Sequence, residues 1–535
     1  MLAPLTAYSG DFRNLEPFMW ATSFQSSSKG DDMLLGDIIK QNAMKFPNKT
    51  ALICAHARLS YLQLNSQVNS LANALLDVGV KKADRVAVLA DNCPEYVVAY
   101  FAVAKGGIII VPINTNLGSE WVSYAINDSG ANTVIFGEKY ADFINSIRHG
   151  LSPFKNYIVI GKAPGIASYQ EIVSKHSSDE PNIGVNEDDI VWLCYTSGTT
   201  GAPKGVMLSH KNIFSNVKDM IISGYPISRN DINLSLVPLS HATGMLQPLL
   251  YYVVGATNVL LDKYDPKLVL ETIQRESVTA SIITSPLLTP IIDYPGVRNY
   301  DVRSLRLVVT GGAPIPEGSM KKFNGIFGDI VMPAYGMTEA SSFIMITPLL
   351  DGPLPKVRRT GSSGKELVNV EVRLVNEEGE DVAPGEVGEI LVAGDNVMKG
   401  YWHMPEETAK TLEGGYLHTG DLATKDEEGY YYITGRKKDM IVTTGRVVPS
   451  PEIENVISLH PAVSEVAVIG VPHRELGEVM KAFVVLKRGE RATERDIIEW
   501  CSSRLEGYKV PNSVSFIDSL PKTASGKVLK TALRG

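Results

Sequence analysis

The sequence predicts an α/β protein: a large N-terminal domain in which strands and helices alternate, then a smaller α+β domain of about a hundred residues. Three observations carry this. Short apolar runs of strand length recur as far as Thr310, with helix-length stretches between several of them. Past residue 360 the alternation gives way to paired strands joined by charged turns. Near Gly435–Asp439 a strand ends in glycine and clustered charge, and a separate set of apolar strands follows. At 535 residues the chain is too long for one core, and roughly three or four units are expected.

The elements follow in order. The first 32 residues are polar and irregular and read as a surface arm. RVAVLA (Arg85–Ala90) is a buried strand, PEYVVAYFAVAKGG (Pro94–Gly107) has helical length and closes on glycines, and IIIVPI (Ile108–Ile113) is a strand again. That βαβ unit implies parallel pairing. TVIF, IVWLCY, SLVPL, ASIIT and LRLVVT repeat the strand pattern. VEVRLVNEEGEDVAPGEVGEILVAG reads as two strands around a charged, glycine-bearing turn. The boundary divides the chain into 1–435 and 436–535, the second part holding strands at VAVIGV, KAFVVL and VSFI and a helix from Thr493. No internal repeat is visible.

Composition excludes several function classes. Hydrophobic residues at 44% and charged residues at 21% describe an ordinary globular chain. A net charge of -8, with no dense lysine–arginine cluster, argues against a nucleic-acid partner. Cys54, Cys93, Cys194 and Cys501 are too dispersed for a metal site or disulfide framework, so a reducing, cytoplasmic setting is expected. The N-terminus lacks a basic start and apolar core, so no signal peptide is read there. The uncharged apolar run Pro248–Leu261 is too short for a transmembrane segment. TALRG at the C-terminus is not a peroxisomal address.

The richest chemistry lies in YTSGTTGAPKG (Tyr195–Gly205), directly behind the apolar run IVWLC. Gly198 and Gly201 allow backbone N–H groups to approach a phosphate that a Cβ would exclude. Thr196, Ser197, Thr199 and Thr200 add hydroxyl donors, and Lys204 adds a cation. It is a phosphate cradle but not a Walker loop, because Lys204 precedes glycine rather than Ser or Thr.

That run resembles the signature of the adenylate-forming superfamily, which holds the acyl-CoA synthetases, firefly luciferase and the adenylation domains of peptide synthetases. Further motifs in the family's order extend the resemblance from about residue 35 to the end. In PAYGMTEAS (Pro333–Ser341), the resemblance implies that Tyr335 and Gly336 meet the adenine. It has Thr338 bond the α-phosphate and Glu339 hold Mg²⁺, with Thr196 as a second metal-side oxygen. In TGGAPIP (Thr310–Pro316), Gly311, Gly312 and Ala313 would lie flat against adenine or the acyl group. In YLHTGDLA, Asp421 would accept from both ribose hydroxyls, a role that suits an acceptor-only carboxylate. TGRKKDMI brings Arg436 to the ribose and puts Lys438 at a hinge. LPKTASGKVLK ends with the expected catalytic lysine, Lys527.

The resemblance implies a large domain of doubly wound mixed sheets with a small β-barrel-like subdomain, and a mobile C-terminal domain pivoting near Lys438. It implies an ATP-dependent ligase that joins a carboxylic acid to CoA through an acyl-adenylate, with ATP, Mg²⁺ and coenzyme A as cofactors. Lys527 would neutralise the bond-making centre and then swing away, with Gly445 lining a pantetheine tunnel. PLSHATGM (Pro238–Met245) fits the loop beside the acyl group, with His241 at its gate; Thr243, Gln247, Val309, Gly311 and Ser342 would line the pocket. No Asp or Glu occurs from Ile232 to Leu261, so a buried substrate ammonium would find no partner there; a fatty or aromatic acid is favoured over an amino acid. No carrier segment follows Lys527, which favours a freestanding enzyme using CoA. Three departures stand out: Arg446 and Val447 where the family has Glu and Asn, GKELVN (Gly364–Asn369) in place of a proline-rich turn, and Tyr416 in place of tryptophan. Two other readings stay open: an adenylating enzyme that loads a carrier protein, and a nucleotide-binding homologue without turnover. The partners expected are the small carboxylic acid, ATP and CoA, and a homodimer is the assembly admitted.

Overall fold

Two large mixed sheets dominate the computed structural model, which describes residues 33–534 apart from 56, 116–117, 148–155, 197–202, 313–316, 349–358, 444–445, 474–475 and 523–527. The surface arm read in the first 32 residues therefore lies outside the described residues. So do Ser197, Gly198, Thr199, Thr200, Gly201, Ala313, Gly445 and Lys527.

The first sheet has eight strands, in the spatial order 400–401, 204–209, 190–196, 109–112, 85–89, 133–137, 156–160 and 167–168. The βαβ unit forms as its sequence implies: Arg85–Leu89 and Ile109–Pro112 run parallel, joined by the helix Pro94–Lys105. Pairing stays parallel from Ile190–Thr196 outward to residues 167–168. On the other side Lys204–Ser209 and Gly400–Tyr401 are antiparallel. The second sheet has nine strands, parallel at its centre and antiparallel at both ends. Strands buried on both faces need continuous apolar runs, which is why LVVT (Leu307–Thr310) and TVIF are buried at every position.

Helices fill the space between the sheets. The helix Pro94–Lys105 is buried from Tyr96 to Lys105, as a helix apolar on all sides must be. Its Phe101 meets Tyr252 of the helix Ala242–Val253 edge-on at 5.5 Å. Its Tyr100 packs on Trp192 of the glycine-loop strand at 5.3 Å.

One strand lies earlier than its sequence suggests. Pairing runs from Ile232 to Ser235, so of SLVPL only Ser235 belongs to the strand, and Pro238 beyond it has no N–H to give a ladder. Asn92 replaces the ladder: its side chain donates to the Val237 carbonyl (3.3 Å) and accepts from Leu239 N–H (2.7 Å).

The expected barrel-like region is built on a four-stranded antiparallel sheet of Glu371–Val375, Gly388–Ala393, Leu417–Lys425 and Tyr431–Arg436. From Met440 a five-stranded sheet begins, formed by residues 440–443, 446–449, 463–473, 477–486 and 513–516. It has its own core, with Ile441, Val448, Ile453, Val468, Val484 and Ile497 at its centre. Among the described residues no helix is long and apolar enough to cross a membrane.

Candidate active site

The glycine loop is the connection of a hairpin. Ile190–Thr196 and Lys204–Ser209 pair antiparallel with Thr196 opposite Lys204, so the loop leaves and re-enters one sheet at adjacent points. Thr196 Oγ1 donates to the Lys204 carbonyl at 3.5 Å, which closes the neck. The stem is braced from the side. Tyr195 donates its hydroxyl to Asp128 Oδ2 (2.6 Å), Trp402 Nε1 donates to the Asp128 carbonyl (3.0 Å), and Trp402 N–H donates to the Gly205 carbonyl (2.7 Å).

Tyr335 ends the strand Val331–Tyr335, and Thr338–Ala340 form a 3₁₀ turn directly after it. Gly336 sits where a Cβ would lie 1.7 Å from the Ser342 carbonyl oxygen, so only glycine lets the chain double back this tightly. The doubled-back segment is clamped. Asn216 Nδ2 donates to the Phe343 carbonyl (2.6 Å), Asn396 Nδ2 donates to the Ala340 carbonyl (3.3 Å), and Ser341 Oγ donates to the Asn396 carbonyl (2.8 Å). Glu339 is thereby held with its side chain largely buried and accepts the Tyr401 hydroxyl at 3.0 Å. Burial, reinforced by the Glu339 charge, pushes the Tyr401 phenol up, so it stays a donor. The ring of Tyr401 faces the Lys204 ammonium at 5.0 Å, a cation–π distance. Lys204 is ion-paired with Glu407, and its ammonium holds the Glu407 carboxyl below the usual carboxylate range.

Asp421 is buried and engaged on both oxygens. Tyr335 donates its hydroxyl to Oδ2 and Arg436 donates Nε to Oδ1, each at 2.7 Å. The strand register sets this up, since Asp421 and Arg436 are opposite one another on adjacent antiparallel strands. Burial, and next the Asp421 charge, push the Tyr335 phenol well up. Tyr335 therefore meets Asp421 through its hydroxyl, a contact that its sequence context did not announce.

The acyl-side residues are more dispersed. His241 stands at the N-cap position of Ala242–Val253 without a side-chain capping bond, and its Nε2 lies 3.4 Å from Asn114 Nδ2. Thr243 is half-buried on that helix. Gln247 is fully buried; its Nε2 donates to Asn233 Oδ1 (2.8 Å) and the Leu234 carbonyl (2.9 Å), while its Oε1 has no hydrogen-bond partner among the described residues. Val309 is buried within the strand Leu307–Thr310. Gly311 follows that strand, and a Cβ there would stand 2.8 Å from the Ala334 carbonyl; Gly312 is exposed beside it. Ser342 is buried with φ of +94°, and its Oγ has no hydrogen-bond partner among the described residues.

Lys438 is exposed in the turn Lys437–Asp439, and its carbonyl accepts from Arg534 at 3.4 Å. The residues flanking the Lys527 segment are anchored. Lys522 and Val528 pair antiparallel, and Lys530 bonds Glu454 and Ser450 Oγ, each at 2.6 Å. Arg446 stacks on Tyr508 at 4.4 Å.

The donor set fits magnesium. No group of three His, Cys, Asp or Glu residues that could hold a metal exists among the described residues. A single carboxylate such as Glu339, beside hydroxyls and substrate phosphates, is the arrangement that this small, oxygen-seeking ion accepts.

Sequence reasoning missed Tyr401, Trp402, Glu407 and Asp128. The run GYWHMPEE (Gly400–Glu407) carries a visible signal, two aromatics after a glycine and then acidic residues, but nothing local ties it to a loop two hundred residues upstream. The link is the pairing of Tyr401 with Val206 and of Gly400 with Met207.

Comparison with known proteins agrees with this geometry. The AMP-binding enzyme family matches residues 39–402, and the AMP-binding enzyme C-terminal domain matches residues 452–527. A feruloyl-CoA synthase from Amycolatopsis is 36% identical over 94% of this chain and 98% of its own. A long-chain-fatty-acid–CoA ligase from Mycobacterium tuberculosis is 33% identical over 94% of this chain and 98% of its own. The crystal structure of an anthranilate CoA ligase in complex with anthranoyl-AMP has a TM-score of 0.88 at 30% identity, covering 94% of this chain and 96% of that one. With the glycine hairpin on the first mixed sheet, the Glu339 turn on the second and the Asp421–Arg436 pair on the antiparallel sheet, the chain belongs to the AMP-binding, adenylate-forming enzymes, in their acyl-CoA synthetase branch.

Proposed function

We propose that this protein is an ATP-dependent carboxylic acid–CoA ligase that acts on a fatty or aromatic acid through an acyl-adenylate. The observation that carries the reading is the linkage of distant motifs: Glu339 and Lys204 meet through Tyr401, and Tyr335, four residues before Glu339, bonds Asp421. The side chains proposed for metal, phosphate and ribose are thus joined by contacts within the protein.

In the first step an acid oxygen attacks the α-phosphorus of ATP, and the bond to pyrophosphate breaks. Two anions must approach and a third must leave. Opposite charges about 4 Å apart are worth roughly 4 kcal/mol at an effective dielectric near 20, so each positioned cation matters. Lys204 and the glycine loop take the β,γ-phosphates. Thr338 is assigned to the α-phosphate, Asp421 with Arg436 to the ribose, and Lys527 to the reacting oxygens. Mg²⁺, when bound to Glu339 and Thr196, would supply charge neutralisation on the phosphates. In the second step the CoA thiol attacks the acyl carbonyl and AMP departs. A pivot at Lys438, with the domains dividing at 435/436, would exchange Lys527 for the thiol channel. The separate core beyond Met440 supports that division.

His241 and Thr243 face the acyl group in this reading, and the absence of Asp and Glu from 232 to 261 supports an acid without an amine. The four free cysteines support a reducing, cytoplasmic setting; a homodimer is the assembly to be sought by sedimentation. Pyrophosphate exchange with short, medium and aryl acids, followed by addition of CoA or a phosphopantetheinyl carrier protein, tests the proposal. Exchange with no acid, or acyl transfer only to the carrier, would overturn it.

A further inference from the structure

Lys204, the cation of the glycine hairpin, already has an anionic partner. Its ammonium is ion-paired with Glu407, and the contact links residues far apart in the chain. Neither side chain reaches across at random. Lys204 begins the strand Lys204–Ser209, Gly400–Tyr401 pairs with that same strand, and Glu407 stands in the first turn of the helix Pro405–Thr411 that follows. The helix is tied back to the strand, since Thr408 Oγ1 accepts from Tyr401 N–H at 2.9 Å. Tyr401 forms the floor under the ammonium at 5.0 Å. The Lys204 side chain is 23% exposed and that of Glu407 39%, so the pair is open to an arriving ligand rather than sealed in the core.

We propose that Glu407 is a positioning residue that holds Lys204 in the triphosphate-free enzyme and then competes with the β,γ-phosphates for it, loosening the grip on pyrophosphate. This rests on the assignment of Lys204 to those phosphates. A cation satisfied by a carboxylate gains less from a phosphate than a free one would, because one attraction is exchanged for another. The exchange weakens ATP and pyrophosphate alike, since both carry the β,γ-phosphates. AMP lacks them and is unaffected. The device thus favours departure of the first product, at the expense of some affinity for the nucleotide.

The test is Glu407→Gln in the full chain, which keeps shape and removes charge from a partly exposed helix. The KM for ATP and the inhibition constant for pyrophosphate should both fall, each by roughly two- to fivefold, the scale of one partly exposed ion pair. The inhibition constant for AMP should not move. Unchanged ATP and pyrophosphate constants would overturn the proposal, and so would an AMP constant that shifts with them, which would mark a general disturbance of the site. Failure of the unaltered protein to exchange pyrophosphate with any acid would instead sink the underlying ligase reading.

Discussion

On the side assigned to the ribose, Asp421 is 5% exposed and both its oxygens are taken by Tyr335 and Arg436. On the side assigned to the phosphates, Lys204 meets Glu407 in a pair that is still substantially open to water. The first arrangement is built into facing strands and needs no ligand to be complete. The second is provisional, with a partner that a ligand must displace. Under the proposed assignment, the difference matches the chemistry on each side. A ribose is neutral and stays attached to the product AMP, so a fixed acceptor serves it through the whole reaction. The β,γ-phosphates arrive, become a leaving group and must be let go, so a cation with an alternative partner serves them better.

The largest expected effect comes from neither cluster. Lys527→Ala should lower ATP–pyrophosphate exchange by about 10²–10³-fold, the scale of losing one preorganised electrostatic contact to a transition state. Thioester formation from supplied acyl-adenylate should be spared. Equal loss of both half-reactions would remove Lys527 from the chemistry and leave the two clusters to account for it.

Asp421→Asn tests the fixed side. It removes a buried charge from between Tyr335 and Arg436, and charged hydrogen bonds are worth about 1.5–3 kcal/mol. The KM for ATP should rise about tenfold or more, and AMP inhibition should weaken in step, because both nucleotides carry the ribose. A change confined to ATP would break the comparison.

Tyr401→Phe sharpens it from the phosphate side. The ring remains under Lys204 while the hydroxyl leaves Glu339. The Mg²⁺ concentration for half-maximal exchange should rise roughly tenfold, as when a metal ligand loses its orienting partner, with the AMP constant unchanged. Titration of magnesium at saturating ATP reads this directly.

The smallest effect on nucleotide constants should come from His210, which is buried directly after the strand Lys204–Ser209 and opens the helix His210–Ile222. Its Nδ1 accepts the Leu35 N–H at 3.3 Å, and burial pushes the imidazole down to about 4, against a modest opposing pull from Asp189. Between pH 6.5 and 4 the unfolded chain takes a proton that the folded chain refuses. Stability is therefore whole above pH 6.5 and falls as pH drops through that window, by about 3 kcal/mol at full extent. Melting curves from pH 7 to 5 should show the decline, and His210→Gln should flatten it. A shift in the KM for ATP at pH 7.5 would show that the hairpin and this helix are coupled.

Much of this was legible from residues alone. Local apolar runs fixed the parallel strands, because a strand covered on both faces must be apolar throughout. The motif order identified the chemistry, because phosphate, metal and ribose each demand particular donors. SLVPL was overread, since the pairing strand lies at Ile232–Ser235 and an apolar run does not by itself show where pairing starts and stops. For Gln247, read as pocket lining, the structure adds that its Nε2 donates to Asn233 and Leu234, partners that strand placement supplies and local sequence does not show.

By itself the sequence determined the α/β class and the family, and it supplied the residues proposed to meet the nucleotide, since these depend on residue type and near-neighbour spacing. Only the tertiary structure decided how they are held. It brought Arg436 opposite Asp421, seated Tyr401 between Glu339 and Lys204, and set Glu407 against the lysine. Those contacts depend on strand register and on which edge a distant segment joins, and the free energy that selects them is spread over the burial of whole sheets and helices rather than written in any short stretch of chain.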